Sequence, residues 1–265
     1  MKIAALQLST LPLSNKKLRD YITKAKNDGA KVVVLGEYVL NNFFKELVKL
    51  QKNMIAIQSR QKIEALEAYA KEFDIHIVAP IVIVDNEKIY KATGRFSPNE
   101  SEFKNQEFLI NYNHWDEESF YDNEIHNKIS VMTFSINGLN FAVINGFEIH
   151  FDHIWLEVIK ENTDIVLVPS ASTFGSNQRW NEILKTRAFL NSLYVLRVNR
   201  VGSYEDEGSF WNFYGETYLI NPDGFIEESI DSSEDLLIVD VDIKELRDVK
   251  TSWKFKEYLK KRALI

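Results

Sequence analysis

Glu37 closes the run VVVLGE, and its type and position favour acid–base chemistry. The run is apolar on both faces, which is typical of a central sheet strand. A carboxylate at the end of a buried strand loses solvent, and this loss raises its pKa toward that of a general base. Many carboxylates at strand ends simply bond to backbone or water, so position alone leaves both interpretations open.

The stretch FAVINGFEIHF, residues 141–151, has the outline of a nucleophile elbow. A strand ends at Asn145-Gly146, and apolar residues at helical spacing follow. Such a turn presents one side chain at a helix N-terminus, where backbone N–H groups can stabilise an oxyanion. Gly146 offers no nucleophile, and the chain contains no cysteine. Phe147 follows directly and is a candidate ligand contact.

Lys104 and Gln106 lie two residues apart in a predicted strand, so they share one face. A lysine there could stabilise an oxyanion, although most strand lysines are exposed. The loop NHWDEESFY, residues 113–121, contains His114 and two adjacent carboxylates, Glu117 and Glu118. The carboxylates could support the site from behind or form part of a lid, and a solvated acidic loop is the alternative.

Ser170 and Ser172, in PSASTFG, are expected to line a pocket or cap the next helix, because no His-Asp pair stands out as their base. His150 and His153 suit one helix face, but no third metal ligand is placed by the sequence. Gly-rich phosphate loops are missing. We therefore expect neither a metal nor a cofactor.

A net charge of −7 and a pI near 5.4 argue against general binding to nucleic acid or anionic membranes. No segment has the length of a membrane span, and the apolar run of MKIAALQLS is too short for a signal peptide. No linker-like run divides residues 1–265. The expectation is one cytoplasmic α/β domain.

Strands and helices alternate at both ends of the chain, with hairpins between them. Ser14 and Ser59 are predicted helix caps, and Asn137-Gly138 and Pro222-Asp223-Gly224 are predicted hairpin turns. Helices are predicted over about 150–162 and 177–193. This order favours mixed sheets covered by helices, and a four-layer αββα sandwich accommodates it.

These motifs together resemble the nitrilase, or carbon–nitrogen hydrolase, superfamily. The resemblance rests on the order VVVLGEYV, VINGFEIHF, VLVPSAS, RWNEILKTRAFLNSLYVLRVNRVG, FYGETYLINPDGFI and LLIVDVDI. It implies an αββα sandwich that acts on nitriles, amides or carbamoyl groups through a Glu-Lys-Cys triad.

Within that resemblance, Glu37 matches the Glu, and Glu117 or Glu118 matches a second, positioning Glu. The family's Lys-x-x-Leu pattern falls on Gln106, while Lys104 is the nearest lysine to that position. Gly146 falls where the family has its cysteine. The resemblance also implies a homodimer or higher homo-oligomer through the helices after residues 146 and 176, with Trp155 or Phe189 among their apolar residues.

Three functions follow as alternatives. The first is a homologue that binds a small amide- or carboxylate-containing molecule, with amidase activity lost or much reduced. The second is an active hydrolase in which Glu37 activates water in the space left at Gly146. The third is a structural or regulatory homo-oligomer.

Overall fold

Two six-stranded sheets form the centre of the computed structural model, which describes residues 1–206 and 208–265. The first sheet contains β1 (Lys2–Gln7), β2 (Val32–Leu35), β3 (His76–Asp85), β4 (Lys88–Phe96), β5 (Ser101–Asn105) and β16 (Asp235–Asp240). Its strand order is β16-β1-β2-β3-β4-β5, parallel across β1, β2 and β3 and antiparallel elsewhere. The sheet is therefore mixed, as predicted.

The second sheet contains β8 (Met132–Ile136), β9 (Leu139–Val143), β10 (Ile165–Ser170), β11 (Tyr194–Asn199), β14 (Tyr218–Ile220) and β15 (Ile226–Ser229). Its order is β15-β14-β11-β10-β9-β8, with β9, β10 and β11 parallel. Two small hairpins lie outside the sheets: β6 (Asn111–Tyr112) with β7 (Trp115–Asp116), and β12 (Val201–Asp206) with β13 (Ser209–Tyr214).

Seven α-helices occur in the described part of the chain. They are α1 (Lys16–Asn27), α2 (Phe44–Leu47), α3 (Lys52–Phe73), α4 (Asp152–Lys160), α5 (Asn177–Asn191), α6 (Ile243–Trp253) and α7 (Phe255–Lys261), with a 3-10 helix at Gly146–His150. Across the described residues, no helix is both long and apolar enough to cross a membrane.

Three buried apolar clusters confirm the predicted αββα layering. One packs α1 and α3 on the first sheet, one fills the space between the sheets, and one packs α4 and α5 on the second sheet. Because the central strands are covered on both faces, their sequences are continuous apolar runs rather than alternating patterns. The central cluster holds β2 close to β10 and β11, and this contact positions the site described below.

The hairpin at Asn137-Gly138 is confirmed: both residues have positive φ, 52° and 78°, and they join β8 to β9. The turn before Phe225 likewise joins β14 to β15, with Gly224 at φ 85°. The prediction that Ser59 caps a helix is wrong, because α3 begins at Lys52 and Ser59 is buried inside it, where its hydroxyl bonds to Asn41. Ser14 lies just before α1, whose N-cap residue is Asn15.

Candidate active site

Glu37 follows β2 and is buried between the two sheets, with 4% of its surface exposed. Its backbone N–H donates to the carbonyl of Ser170 at 3.2 Å. A side chain on the preceding Gly36 would meet the Arg200 nitrogen at 3.1 Å, so this close approach of the sheets requires glycine. Burial raises the pKa of Glu37 to about 7, against the attraction of Lys91 and with a further increase from Glu117.

Lys91 on β4, which the sequence analysis missed, joins two carboxylates of this site. Its Nζ lies 2.8 Å from Glu117 Oε1 and 3.3 Å from Glu37 Oε1, and its side chain is 5% exposed. The Lys91–Glu37 pair is not aligned as a hydrogen bond, so Glu37 Oε1 has no hydrogen-bond partner among the described residues. Burial alone would lower the pKa of Lys91, but Glu117 and Glu37 outweigh that effect and raise it.

Glu117 is fully buried and accepts four hydrogen bonds. The donors are Tyr38 OH, Lys91 Nζ at 2.8 Å, Trp115 Nε1 at 3.1 Å and the Ile110 N–H at 3.3 Å. Glu118, the alternative from the sequence, is exposed and bonds to the Asn111 side chain at 2.7 Å. The structure therefore brings Glu117 to Glu37 and leaves Glu118 on the surface.

Lys104 lies away from Glu37, which corrects its expected role as the lysine of the site. Its Nζ bonds to Glu107 at 2.7 Å and Ser130 at 2.9 Å, at the rim of the sheet. It pairs across the ladder with Thr93, so it shares a face with Lys91 but lies two residues further along. Two residues of a strand span roughly 7 Å, too far for Lys104 to replace Lys91.

Gln106 comes directly after β5 and is 2% exposed. Its side-chain Nε2 donates to the carbonyl of Phe108 at 2.7 Å, and its Oε1 has no partner within the described ranges. Its backbone N–H donates to the Lys91 carbonyl at 2.9 Å, so Gln106 faces Lys91 across the ladder. Gln106 thus lies beside the cluster but makes no ion pair.

The Asn145-Gly146 turn has the predicted elbow shape, with β9 leading into the 3-10 helix. Glu148 fixes the turn by accepting the Asn145 N–H at 3.0 Å and the Glu107 N–H at 2.7 Å. Gly146 does not adopt left-handed backbone, so other residues could form this turn. A Cβ at Gly146 would, however, lie 3.1 Å from Ser170 Cβ and 3.2 Å from the Trp180 ring.

A cavity of about 200 Å³ opens beside Glu37. Its lining combines aromatic, polar and small side chains: Glu37, Ile110, Tyr112, His114, Trp115, Phe147, His150, Ala171, Ser172, Thr173, Phe174, Ser176, Arg179 and Trp180. His114, Phe147 and Ser172 therefore lie where a ligand could reach them. Ser172 is 3% exposed, and its hydroxyl has no hydrogen-bond partner in the described part of the chain.

Ser170 lies beneath this cavity rather than in its lining, which corrects its expected role as a ligand contact. It is fully buried against Gly146, and its hydroxyl bonds to Asn199 Oδ1 at 3.1 Å. His150 bonds to the Phe147 carbonyl at 2.9 Å, and burial lowers its pKa. The described residues contain no group of three or more His, Cys, Asp or Glu side chains arranged to hold a metal ion.

These groups can move protons, but they hold no thiol at the turn. Glu37 exchanges a proton near neutral pH, Lys91 and Glu117 fix its position, and Ser172 offers a hydroxyl to a bound molecule. The only sequence signal for Lys91 was a charged residue on the same face of β4 as Ile89 and Thr93, which are buried.

Comparison with known proteins identifies relatives of this arrangement. Residues 2–251 match the family described as carbon-nitrogen hydrolase. A "Hydrolase in agr operon" from Staphylococcus aureus is 32% identical over 69 residues, which are 26% of this chain. The matched stretch spans 25% of that relative's own length.

Solved structures show the same fold over nearly the whole chain. A carbon-nitrogen hydrolase from Helicobacter pylori superposes with a TM-score of 0.82, 15% identity and coverage of 96% of this chain and 94% of that one. XC1258 from Xanthomonas campestris, with an arsenic adduct in its active site, superposes with a TM-score of 0.79 and 15% identity, and the match covers 97% of this chain and 96% of that one. A mutant of a Nesterenkonia amidase, with acrylamide added at its active-site cysteine, superposes with a TM-score of 0.76 and 16% identity, and the match covers 96% of this chain and 98% of that one.

Proposed function

Because this chain belongs to the carbon–nitrogen hydrolase family, we propose that its cavity binds a small amide- or carboxylate-containing molecule without covalent catalysis at residue 146. The observation that carries the proposal is the turn itself. Gly146 has no reactive group, and Ser170 and Trp180 occupy the space around it to within 3.1 and 3.2 Å of a Cβ. Amidase activity is therefore absent or much reduced relative to an enzyme with a thiol there.

The cavity supports a ligand of this class. At pH values below about 7 the Glu37 carboxyl can donate as well as accept, which matches the N–H and C=O groups of an amide. The Ser172 hydroxyl, which has no hydrogen-bond partner in the part of the chain that the structure describes, supplies a further partner. Leaving a buried hydroxyl unpaired costs about 1–3 kcal/mol. Arg179 is exposed at the rim, where it can meet a carboxylate.

Binding and turnover are tested together on the purified protein. Titration calorimetry with a panel of small aliphatic amides and carboxylates measures binding, and ammonia release measures hydrolysis. We expect saturable binding that Glu37→Gln weakens and Glu67→Gln, at an exposed carboxylate of α3, leaves unchanged. If no member of the panel binds at millimolar concentration, the proposal is wrong for this ligand class.

A second candidate is hydrolysis by a water that Glu37 activates. It is favoured by the pKa of about 7 and by Glu37 Oε1, which accepts no hydrogen bond from the described residues and so can accept one from water. Steady ammonia release that disappears in Glu37→Gln and persists in Glu67→Gln would select this candidate. Without a covalent intermediate, we expect turnover to be slow.

The chain is also proposed to form a homodimer through α4 and α5. Trp155 is buried inside its own chain, where its indole N–H donates to the Ile149 carbonyl at 2.8 Å, so it is not available to a partner. Leu156 and Leu190 on these helices are 43% and 48% exposed and supply apolar surface instead. Light scattering that gives a monomer mass at high protein concentration would reject the dimer.

A further inference from the structure

Lys91 is buried between two carboxylates but belongs to a strand that the family resemblance does not point to. We infer that Lys91 is the positioning residue of the site: from β4 it holds Glu37 against Glu117 and provides the charge that the resemblance assigns to a lysine after β5. The inference rests on the proposed function only in taking Glu37 as the group that meets the ligand.

The pairing of β4 with β5 shows how a lysine on β4 can supply the positive charge expected after β5. Ala92 pairs with Asn105 and Thr93 with Lys104, so the next pair in the antiparallel ladder is Lys91 with Gln106. Gln106 N–H donates to the Lys91 carbonyl at 2.9 Å, which confirms that pair. Side chains of directly opposed residues project to one face, with Cβ atoms roughly 5 Å apart. A lysine lost at Gln106 can therefore be replaced from Lys91, across a single pair.

The side chain of Asn123 fixes this pair of residues. Its Oδ1 accepts the Lys91 N–H at 2.9 Å, and its Nδ2 donates to the carbonyls of Lys91 and Gln106, each at 2.8 Å. The Lys91 backbone is thus bonded on both sides. A long and flexible side chain reaches a fixed point only when its backbone is held, so this arrangement gives Nζ a defined position between the two acids.

The charges around Glu37 make its proton depend on Lys91. Lys91 faces it from β4, Glu117 from the loop after β7, and Glu148 from the 3-10 helix. The Tyr38 hydroxyl donates to Glu117, and the Tyr121 hydroxyl donates to that of Tyr38 at 3.5 Å. Lys91 alone lowers the pKa of Glu37, against burial and the two acids. Glu117 is anchored by four hydrogen bonds, whereas Glu37 Oε1 accepts none from the described residues and has Lys91 Nζ 3.3 Å away as its cation.

Lys91 acts through Glu37 rather than on the ligand. Within the described residues, the lining of the ligand cavity includes Glu37 but not Lys91. Lys91 lies behind Glu37, in a narrow space shared with Tyr38, Asn41 and the strand at 80–82. This placement separates it from a lysine that would contact an oxyanion directly.

The test is a pH titration of the Glu37 carboxyl by ¹³C NMR on glutamate-labelled protein, with Glu37→Gln to assign its resonance. In Lys91→Met we expect the midpoint to rise by roughly 1–3 pH units, because the opposite charge is lost. Lys91→Arg should stay near the wild-type midpoint.

Lys62→Met is the matched control. Lys62 is also buried, at 2% exposure, but its Nζ bonds to the Pro12 carbonyl at 2.6 Å and to Asn15 at 2.9 Å. Its loss should therefore lower stability and leave the Glu37 midpoint unchanged. An unchanged midpoint in Lys91→Met would show that Lys91 is merely structural and overturn the inference.

A second measurement needs no substitution, in case Lys91→Met does not fold. In the wild-type protein the Lys91 ¹³Cε resonance should show an inflection at the Glu37 midpoint, and the absence of that inflection overturns the inference. Neither measurement requires a ligand. A failure of the ligand panel would therefore remove the proposed function and leave the role of Lys91 standing, and the converse result is equally distinguishable.

Discussion

The two sides of the cavity differ in the side chains that they carry. On one side, Glu37, Lys91 and Glu117 form a buried cluster in which each charged group has a partner within 3.3 Å. On the other side, the Asn145-Gly146 turn keeps its shape and its support from Glu148 but has no reactive side chain. One side carries buried groups that can exchange a proton, and the other is packed like ordinary protein interior.

This difference indicates that acid–base and covalent functions are physically separable in the fold. A buried ion pair is weak evidence for stability, because removing charges from water costs several kcal/mol per ion. Apolar residues of similar volume would often serve stability as well. The presence of three buried charged groups beside a cavity therefore favours a function that uses the Glu37 proton, with or without turnover.

The largest expected effect is on the charged side. Lys91→Met leaves two carboxylates buried without their cation, and we expect a loss of roughly 3–5 kcal/mol in the free energy of unfolding. Lys104→Met, which breaks a partly exposed pair on the neighbouring strand, should cost no more than about 1 kcal/mol. Urea unfolding at neutral pH measures both. Equal losses would mean that Lys91 contributes no more to the free energy of unfolding than the lysine of a partly exposed ion pair.

A smaller effect concerns pH. The pKa of Glu37 is about 7 in the folded protein against 4.5 for an ordinary Glu, so the unfolded chain releases this proton first as pH rises. Its contribution to stability therefore falls between about pH 4.5 and 7 and stays low above that range.

The measurement compares urea unfolding of wild type and Glu37→Gln at pH 5 and pH 8. Relative to wild type, the variant should gain about 2 kcal/mol between these two pH values, because Gln does not ionise. Glu67→Gln serves as the exposed control and should show no such gain. A wild-type pH dependence identical to that of Glu37→Gln would show that Glu37 titrates normally.

A substitution at the Asn145-Gly146 turn is expected to lower the free energy of unfolding by about 1–2 kcal/mol. Gly146→Ala adds a Cβ only 3.1 Å from Ser170 Cβ and 3.2 Å from Trp180, so it overpacks the site. Combining it with Ser170→Gly, which removes the opposing Cβ, should recover part of the loss. A double-mutant cycle on unfolding free energies gives the coupling. Strict additivity of the two changes would mean that the turn still has free space.

The smallest expected effect on stability is that of a substitution at Ser172. Its buried hydroxyl has no hydrogen-bond partner among residues 1–206 and 208–265, so Ser172→Ala should leave stability within about 1 kcal/mol of wild type or raise it slightly. Binding of a ligand from the panel should weaken by roughly fivefold, as expected for one lost hydrogen bond. Calorimetry and thermal unfolding on the same sample separate the two effects. Weaker stability with unchanged binding would place the hydroxyl outside the ligand site.

The sequence predicted features that depend on local pattern. Mixed sheets covered by helices, the two hairpin turns and the strand end at Glu37 followed from periodicity and turn chemistry, which act over a few residues. The shape of the Gly146 turn and the loop of Glu117 followed from motif order. These features need no knowledge of which strands are neighbours.

Lys91 and Lys104 show what the sequence did not reveal. They lie on the same face of two paired strands, and only their three-dimensional position along the ladder decides which one reaches Glu37. Burial of Ser170 beneath the turn is likewise a contact between β10 and the 3-10 helix. Such long-range contacts leave no local signature, which is why Glu118 could not be separated from Glu117 either.

The pairing of β1 with β16 has a consequence for biosynthesis. Lys2 pairs with Asp240 and Gln7 with Asp235, so one edge of the first strand waits for a partner that is made more than two hundred residues later. At ordinary translation rates that interval is on the order of tens of seconds. During it the nascent chain carries an apolar strand with an open edge, a state that invites pairing with other chains. We therefore expect the yield of folded protein to depend on how quickly the chain is completed and on whether that edge is shielded in the meantime.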